Sequence, residues 1–412
     1  MQETGNDFVK ILQVNCIYNQ GSTGKIVADI HHALEEQKIE SIVCYGRGEI
    51  INEPNIYKIC GEFYSHVQHF WANLTGLMYG GCFYSTHKLE KLILKEQPDV
   101  VHLHCLNGYF INIYRLISWL KKKKIKTILT MHAEFMYTAN CGYALDCEKW
   151  KIGCGHCPRL KQETSSYFFD NTALSWEKMK RAFDGFNSLI ITSVSPWLMK
   201  RAKESPFLSD KQHELVLNGL DTNIFHSYDT TLLKKKYCSE NKKIILHVTP
   251  FFSQNKDNIK GGYYILKLAK QLETDNILFI VIGKYDEKII PPKNLIFLGP
   301  IYDQNKLAQY YSLADVTLLT SKKETFSMVT AESLACGTPV VGFESGAPEQ
   351  IALSQYSAFS KYGDLDAMKK NIYKILNSNF SGDISKEAFK KYNKEKMIQG
   401  YLDLYFKEDF YV

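Results

Sequence analysis

The residues best suited to bind a polar ligand are two glutamates in the last quarter of the chain. Glu324 and Glu332 are separated by seven residues. The apolar pattern between and beyond them predicts a helix over residues 325–335, with Glu332 about two turns into it. At 1.5 Å per residue the two carboxylates would lie roughly 12 Å apart, about the span of a nucleoside diphosphate sugar. Free amides at the helix start, together with the helix dipole, favour an anionic diphosphate. These amides belong to Thr325, Phe326 and Ser327.

The surroundings of this helix favour a ligand site over an acidic helix start with a solvated glutamate. A strand predicted over residues 316–319 precedes the helix, and a second strand predicted over 340–343 follows it. Gly337 suits the position just beyond a helix, and Pro339 prevents the helix from continuing. Glu324 would accept hydrogen bonds from sugar hydroxyls, and Glu332 from a ribose.

The stretch 321–351 resembles the signature region of the retaining glycosyltransferases of family 4, also called glycosyl transferases group 1. That family has two glutamates separated by seven residues, followed by a Gly-Thr-Pro-Val-Val type turn and a loop with Pro-Glu. The corresponding residues here are Glu324, Glu332, Cys336-Gly337-Thr338-Pro339-Val340-Val341 and Gly346-Ala347-Pro348-Glu349. The resemblance implies an α/β protein of the GT-B fold, with two Rossmann-like domains facing each other across a cleft that holds the donor. It also implies that Glu324 contacts the transferred sugar and Glu332 the ribose.

A lysine after the first strand of the second half fits the same resemblance. Lys260 immediately precedes a predicted helix and matches the family lysine that neutralises the leaving diphosphate. A surface lysine at a helix start is the alternative interpretation. The family arginine of this loop has no match, and Lys256 could substitute for it, although a lysine lacks the bidentate fork of an arginine.

The first half of the chain contributes two further candidates. The segment 21–25 resembles the glycine-rich loop of the family, in which Gly21 and Gly24 would let backbone amides approach a phosphate or a sugar. His132 follows a predicted strand over residues 126–131, and in open α/β sheets such ends face the ligand. The resemblance gives this histidine a contact with the donor sugar; many relatives carry an aspartate next, where this chain has Ala133. A structural histidine is the alternative.

Three other groups of residues could bind metal. One contains four cysteines spaced C-x5-C-x6-C-x2-C, which suits a structural tetrahedral Zn²⁺ site, although four free thiols remain an equal alternative. These cysteines are Cys141, Cys147, Cys154 and Cys157. His102 and His104 share a strand face and are interpreted as sheet-end packing. Asp364 of the Asp-Leu-Asp triplet is interpreted as a helix N-cap, so we predict no catalytic divalent metal.

Length and composition fit this picture. The chain has 412 residues, 45% hydrophobic residues, 23% charged residues and a net charge of +6, which is typical of a globular two-domain protein that does not bind nucleic acid. Strand-helix alternation predicts an N-terminal domain over 1–221 with a cysteine-rich insertion at 138–160. A nucleotide-sugar domain over 222–393 and a helix over 394–412 that returns to the first domain would follow, with the linker near 222–241.

The resemblance therefore implies a glycosyltransferase that moves a hexose-type sugar from a nucleoside diphosphate sugar to an acceptor hydroxyl of a glycan or lipid-linked glycan. It also implies retention of anomeric configuration, and the cysteine-rich insertion resembles that of relatives in cell-surface polysaccharide biosynthesis. The alternatives are an epimerase of the same fold and a nucleotide-sugar-binding protein that has lost catalysis. The N-terminal residues lack a signal-peptide pattern and eleven cysteines are present, so we expect a cytoplasmic protein with reduced thiols. Lysines 121–124 could add a peripheral contact with an anionic membrane, or simply form a solvated helix end.

Overall fold

The computed structural model describes residues 9–237, 242–380 and 382–407. The chain divides into two compact units. The N-terminal unit comprises Met1–Leu217 and Ile398–Val412, and the C-terminal unit comprises Asn218–Met397. Part of the linker predicted near 222–241 lies outside the described residues.

The N-terminal unit is built on a seven-stranded parallel sheet in the order β3-β2-β1-β4-β5-β6-β7. Its central strands are short apolar runs that are buried along their length, because helices cover both faces of a parallel sheet. The strands are β1 (Lys10–Asn15), β2 (Glu40–Tyr45), β3 (Ile56–Lys58), β4 (Val100–Leu103), β5 (Lys126–Met131), β6 (Leu189–Ser193) and β7 (Gln212–Leu215). The helices are α1 (Gly21–Glu36), α2 (Glu62–Thr75), α3 (Phe83–Glu96), α4 (Ile113–Lys123), α5 (Phe135–Thr138), α6 (Leu160–Thr164), α7 (Thr172–Phe183) and α8 (Pro196–Lys203).

The C-terminal unit repeats the architecture with a six-stranded parallel sheet in the order β10-β9-β8-β11-β12-β13. The strands are β8 (Lys243–Phe252), β9 (Ile277–Tyr285), β10 (Leu295–Gly299), β11 (Val316–Leu319), β12 (Val340–Phe343) and β13 (Ser357–Ser360). The helices are α9 (Thr231–Tyr237), α10 (Gly262–Gln271), α11 (Gln304–Leu313), α12 (Met328–Ala335), α13 (Pro348–Ile351), α14 (Leu365–Leu376) and α15 (Ile384–Tyr392). Helix α16 (Lys394–Tyr405) begins in this unit and ends in the N-terminal unit.

Both sheets have a point at which the strand order reverses. In the N-terminal unit it lies between β1 and β4, and in the C-terminal unit between β8 and β11. Ligands of open α/β sheets bind beyond the carboxyl ends of the strands that flank such a point. The segments after these four strands are therefore where the functional residues of each unit are expected. The predicted α/β class with two Rossmann-like domains is confirmed.

Two local predictions are wrong. The helix predicted over 325–335 begins at Met328, because Ser327 has a left-handed φ of 80° and its side chain accepts a hydrogen bond from the Thr330 amide. Glu332 is consequently the fifth residue of α12, a little over one turn in, and the helical rise does not give its distance from Glu324. The segment predicted as a glycine-rich loop is also helical, because Gly21 opens α1 and Gly24 lies in its first turn.

Candidate functional site

The segment after β8 positions Lys260 next to helix α10. Gly261 has a φ of 71°, and a Cβ at that position would collide with the Thr320 carbonyl, so only glycine fits there. The Lys260 amide donates to the Asn258 side chain at 2.9 Å, and its carbonyl accepts a hydrogen bond from the Thr320 hydroxyl at 3.2 Å. The Lys322 amide donates to the Ile259 carbonyl at 2.7 Å. These bonds hold the segment before α10 against the segment that follows β11.

Glu324 lies on the segment after β11, and its backbone is hydrogen-bonded to the loop that follows β12. Its amide donates to the Ser345 carbonyl at 2.9 Å, and its carbonyl accepts from the Ala347 amide at 3.2 Å. The carboxylate of Glu349 in turn accepts hydrogen bonds from the amides of Ser345 and Gly346, at 3.0 and 2.8 Å. Glu349 therefore rigidifies the loop against which Glu324 is fixed.

The Lys260 ammonium and the Glu324 carboxylate meet beyond the carboxyl ends of β8 and β11. The distance from Lys260 Nζ to Glu324 Oε1 is 2.6 Å, and the side chains are 26% and 13% exposed. Within the described residues, Glu324 Oε2 accepts no hydrogen bond. The pair thus places a cation and an acceptor oxygen side by side at the switch point of the sheet, where a charged group and a hydroxyl group of one ligand could both be bound.

The segment between Glu324 and α12 carries the predicted amide donors, although it is not helical. Thr325, Phe326 and Ser327 are all buried, and the Phe326 ring is only 3% exposed. In the part of the chain that the structure describes, the amides of Phe326 and Ser327 donate to no protein acceptor. Because unpaired buried amides are rare, these two are good candidates for donors to an anionic ligand.

Glu332 is oriented by a residue that the sequence did not suggest. The buried Tyr311 of α11 donates its hydroxyl hydrogen to Glu332 Oε2 at 2.8 Å. Burial and the nearby Glu332 carboxylate raise the pKa of Tyr311 well above its ordinary value, so the phenol stays protonated and remains a donor. Tyr311 and Glu332 are 21 positions apart in the sequence, and their side chains meet only when α11 packs on α12.

The remaining donor-binding candidates are less constrained. Lys256 is exposed on the segment between β8 and α10 and has no ion pair with any described residue. Gly21 is exposed with a φ of 62°, whereas Gly24 is buried and a Cβ there would lie 3.2 Å from the Ile17 carbonyl oxygen. Both glycines belong to the N-terminal unit, whereas Lys260 and Glu324 belong to the C-terminal unit, and the roles of the glycines stay predictions.

In the N-terminal unit, the half-buried His132 belongs to a chain of hydrogen-bonded polar side chains that includes the buried Gln13 and His104. His104 Nδ1 lies 3.4 Å from His132 Nε2, and His104 Nε2 lies 3.2 Å from Gln13 Oε1. Gln13 Nε2 donates to the Val27 carbonyl at 3.4 Å. His102 hydrogen-bonds to Tyr405 and Thr130 at 2.6 and 2.7 Å, which confirms the interpretation of this pair of strand histidines as sheet-end packing.

This chain of hydrogen bonds determines which nitrogen of His132 carries hydrogen. Burial lowers the pKa of His104 well below its ordinary value and that of His132 to about 4, so both rings are neutral near pH 7. The Val27 carbonyl can only accept a hydrogen bond, so the amide nitrogen of Gln13 faces it and Gln13 Oε1 faces His104. Because Oε1 is an acceptor, the hydrogen lies on His104 Nε2. His104 Nδ1 must then accept from His132 Nε2–H, which leaves a lone pair on His132 Nδ1. A polar glutamine within the buried strand KILQVN was the signal in the sequence that could have revealed Gln13.

The four cysteines of the insertion lie close together. Cys141, Cys147, Cys154 and Cys157 line one small cavity of about 20 Å³ together with Trp150. Among the residues that the structure describes, no group of three or more His, Cys, Asp or Glu side chains is arranged to hold a metal ion. The four thiols line one cavity, and the zinc site stays a prediction. Asp364 accepts from the Ala367 amide at 2.9 Å, which confirms its interpretation as an N-cap.

Comparisons with known proteins give the class of the molecule. Residues 230–396 match the family model described as Glycosyl transferases group 1. N-acetyl-alpha-D-glucosaminyl L-malate synthase of Bacillus anthracis is 25% identical over 413 residues, covering 95% of this chain and 96% of the relative. The putative colanic acid biosynthesis glycosyl transferase WcaC of Escherichia coli strain K12 is 20% identical over 413 residues, covering 96% and 99%.

Solved structures agree on the fold. Sucrose-phosphate synthase from Thermosynechococcus elongatus superposes with a TM-score of 0.67 at 15% identity, over 96% of this chain and 98% of the other. Anabaena Alr3699/HepE in complex with UDP-glucose superposes with a TM-score of 0.59 at 12% identity, over 96% and 98%. Residues 230–396 therefore carry the match to glycosyl transferases group 1, as the signature region predicted, and the fold is GT-B. Among the helices that the structure describes, none combines the length and apolar character needed to cross a bilayer.

Proposed function

We propose that this glycosyltransferase moves a hexose-type sugar from a nucleoside diphosphate sugar to an acceptor hydroxyl, with retention of anomeric configuration, in the biosynthesis of a cell-surface polysaccharide. The observation that carries the proposal is the Lys260–Glu324 pair, 2.6 Å apart at the switch point of the C-terminal sheet. A cation beside an acceptor oxygen suits a ligand that joins a diphosphate to a hydroxyl-rich ring.

Each residue of the pair has a distinct part in the proposed reaction. The bond between the sugar C1 and the diphosphate oxygen breaks, and its electron pair stays on the diphosphate. Lys260 and the amides of Phe326 and Ser327 neutralise that charge as it develops. Glu324 orients the sugar by accepting from its hydroxyls, and the acceptor oxygen forms the new bond to C1 while its proton leaves toward the diphosphate.

Glu332 has a separate part, at the nucleoside. Its Oε2 is occupied by Tyr311, and we assign the carboxylate to the ribose hydroxyls. His132 is assigned to the donor sugar. The name of the WcaC relative supports polysaccharide biosynthesis, and the UDP-glucose in the HepE structure supports a nucleotide-sugar donor.

The test is a thermal-shift screen of nucleoside diphosphate sugars, followed by product analysis of those that stabilise the protein. We expect one or a few donors to raise the melting temperature and to transfer their sugar to an added glycan acceptor with retained configuration. An isomerised donor without any acceptor would instead identify an epimerase. Donor binding with neither hydrolysis nor transfer would identify a binding protein, and inverted product would remove the retaining assignment.

A structural zinc ion on the four cysteines is a second, independent proposal. Its support is that all four line one cavity. Zinc near one per chain in protein purified without chelator, and loss of that zinc in Cys154→Ser, are the expected results. Zinc well below one per chain removes the proposal. The cytoplasmic localisation stays a prediction.

A further inference from the structure

Helix α2 exposes its large apolar side chains, unlike an ordinary surface helix. The residues it buries are small or polar, namely Ser65, Ala72 and Asn73. Its large apolar side chains point outward: Phe63 is 84% exposed, Phe70 58% and Trp71 52%. In a globular protein the apolar stripe of a helix normally faces the core, so this one must serve something other than the fold of the N-terminal unit.

The outward residues form a single continuous stripe. The exposed Phe63, Phe70 and Trp71 share this stripe with the half-buried Val67 and Leu74. Their spacing of 4, 7, 8 and 11 positions from the first is the repeat of one helical face. We call this set the aromatic face of α2.

A neighbouring loop extends the aromatic face at the end of the helix. Tyr167, Phe168 and Phe169 are 61%, 74% and 58% exposed. The Tyr167 amide donates to the Asn73 carbonyl at 3.0 Å, which anchors this loop to the last turn of α2. Together with Phe63, Phe70 and Trp71, these three rings make six exposed aromatic side chains. An exposed apolar patch of this kind marks an interaction site.

The other side of the aromatic face is basic. The Tyr84 amide at the start of α3 donates to the Tyr64 hydroxyl of α2 at 3.3 Å, so the two helices meet there. Lys88, Lys91 and Lys95 follow Tyr84 by 4, 7 and 11 positions, and all are exposed on one side of α3. Aromatic rings flanked by a row of lysines are the composition of an interfacial membrane helix.

The carboxylates near these lysines are already paired. Glu62 pairs with Arg47 and Lys58, each at 3.3 Å, and Glu90 pairs with Arg115 at 2.6 Å. Lys95 pairs with Glu96 at 3.0 Å, whereas Lys88 donates to the Lys58 carbonyl at 3.0 Å and keeps its charge. Among the described residues, Lys88 and Lys91 have no carboxylate partner, and they leave this surface positive. Protein–protein interface cores are depleted in lysine, whereas lysines beside an apolar stripe are favoured by anionic lipid headgroups.

We propose that the aromatic face of α2, with residues 167–169, inserts into the interface of an anionic phospholipid bilayer, and that Lys88 and Lys91 contact the headgroups. This proposal does not depend on the reaction assigned to the C-terminal unit. It also differs from the contact predicted for lysines 121–124, because those lysines lie at the end of a different helix, α4.

The test uses the full chain with vesicles of phosphatidylcholine alone or mixed with phosphatidylglycerol. We expect co-sedimentation with the anionic vesicles that weakens as salt screens the lysines. Brominated phosphatidylcholine should quench Trp71, whose 52% exposure makes it the reporter on this surface, and Trp71→Phe should remove that quenching.

Matched variants separate this surface from others. Phe70→Ser with Trp71→Ser should weaken vesicle binding at least tenfold while circular dichroism and melting temperature stay near wild type. Lys88→Gln with Lys91→Gln should reduce the preference for anionic vesicles. Tyr302→Ser, which removes an 80% exposed aromatic ring of the C-terminal unit, and Lys122→Gln with Lys123→Gln should bind as wild type.

Several results would overturn the proposal. They are an absence of vesicle binding, unchanged binding in the Phe70/Trp71 variant, or loss of binding only in the Lys122/Lys123 variant. A stable dimer in light scattering that the Phe70/Trp71 variant dissociates would identify a second copy of the chain as the occupant instead.

Discussion

Lys260 and Glu324 form an ion pair of 2.6 Å across 64 positions of sequence. Neither side chain reaches the other by local geometry. The parallel pairing of β8 with β11 brings their carboxyl ends together, and Gly261 allows the chain to turn against the Thr320 carbonyl. The pair is thus a product of the strand order, and it lies where that order reverses.

The first prediction concerns the cation of this pair. Lys260→Met should weaken binding of UDP by about tenfold or more, because a hydrogen bond from a charged donor contributes roughly 1.5–3 kcal/mol. Binding of uridine, which has no phosphate, should change little, and calorimetry measures both. Lys288→Met, at an exposed lysine of the same unit, is the matched control. Equal UDP affinity in the Lys260 variant and the control would remove the phosphate role.

The second prediction concerns Tyr311. Tyr311→Phe deletes the hydroxyl that orients Glu332 and should raise the donor KM about fivefold with kcat nearly unchanged, since one neutral donor contributes about 1 kcal/mol. Tyr310→Phe is the control, because the neighbouring Tyr310 hydroxyl bonds to Tyr237 instead. Steady-state kinetics of both variants checks this. A similar KM in the two variants would contradict an orienting role.

The third prediction concerns the hydrogen on His132. Gln13→Leu removes the acceptor of His104 Nε2–H, so His104 should shift toward the form protonated at Nδ1 and His132 should follow. Long-range ¹H–¹⁵N correlation spectra report this change directly, and turnover should fall about tenfold. Gln68→Leu, which removes an acceptor of the Cys82 amide elsewhere in the unit, should leave both histidines unchanged. Unaltered histidine spectra in Gln13→Leu would show that the chain of hydrogen bonds from Gln13 does not fix the hydrogen on His132.

The fourth prediction concerns acid stability. Burial lowers the pKa of His102 and His104 well below the ordinary value and that of His132 to about 4. Unfolded histidines take up protons near pH 6.5, so between about pH 6.5 and 4 the unfolded chain binds more protons than the folded chain. The contribution of these histidines to the free energy of unfolding is therefore fully present above about pH 6.5. It is lost as the pH falls, by up to about 1.4 kcal/mol per pH unit for each histidine.

Denaturant unfolding at pH 7.5, 6 and 5 measures this loss. His102→Gln should reduce the pH dependence, whereas His87→Gln, at a 52% exposed side chain, should retain it. A wild-type slope in His102→Gln would show that the buried histidines do not cause the effect.

The parts of the fold that the sequence predicted well are those with local signals. Strands β11 and β12 are short apolar runs between turns, and their predicted limits coincide with the observed ones. Gly337, with a φ of 83°, ends α12 as its sequence context indicated. The start of α12 was missed because Ser327 adopts a left-handed backbone that a non-glycine residue rarely takes.

The parts that escaped prediction depend on packing. Tyr311 reaches Glu332 only because α11 lies on α12, and Gln13 reaches His104 only through the pairing of β1 with β4. The outward stripe of α2 has an ordinary helical spacing in the sequence, and the direction in which it points could not be read from that spacing. These features therefore depend on contacts between segments that are distant in the sequence, which the periodicity of residues does not reveal.

The central claim is that Glu324 holds the sugar while it is transferred, and its most direct test is the turnover of Glu324→Gln. This variant keeps the size of the side chain and removes its charge. With the donor found by the thermal-shift screen and a glycan acceptor, we predict a rate about 100-fold or more below wild type at an unchanged melting temperature. Turnover near that of wild type would contradict the account.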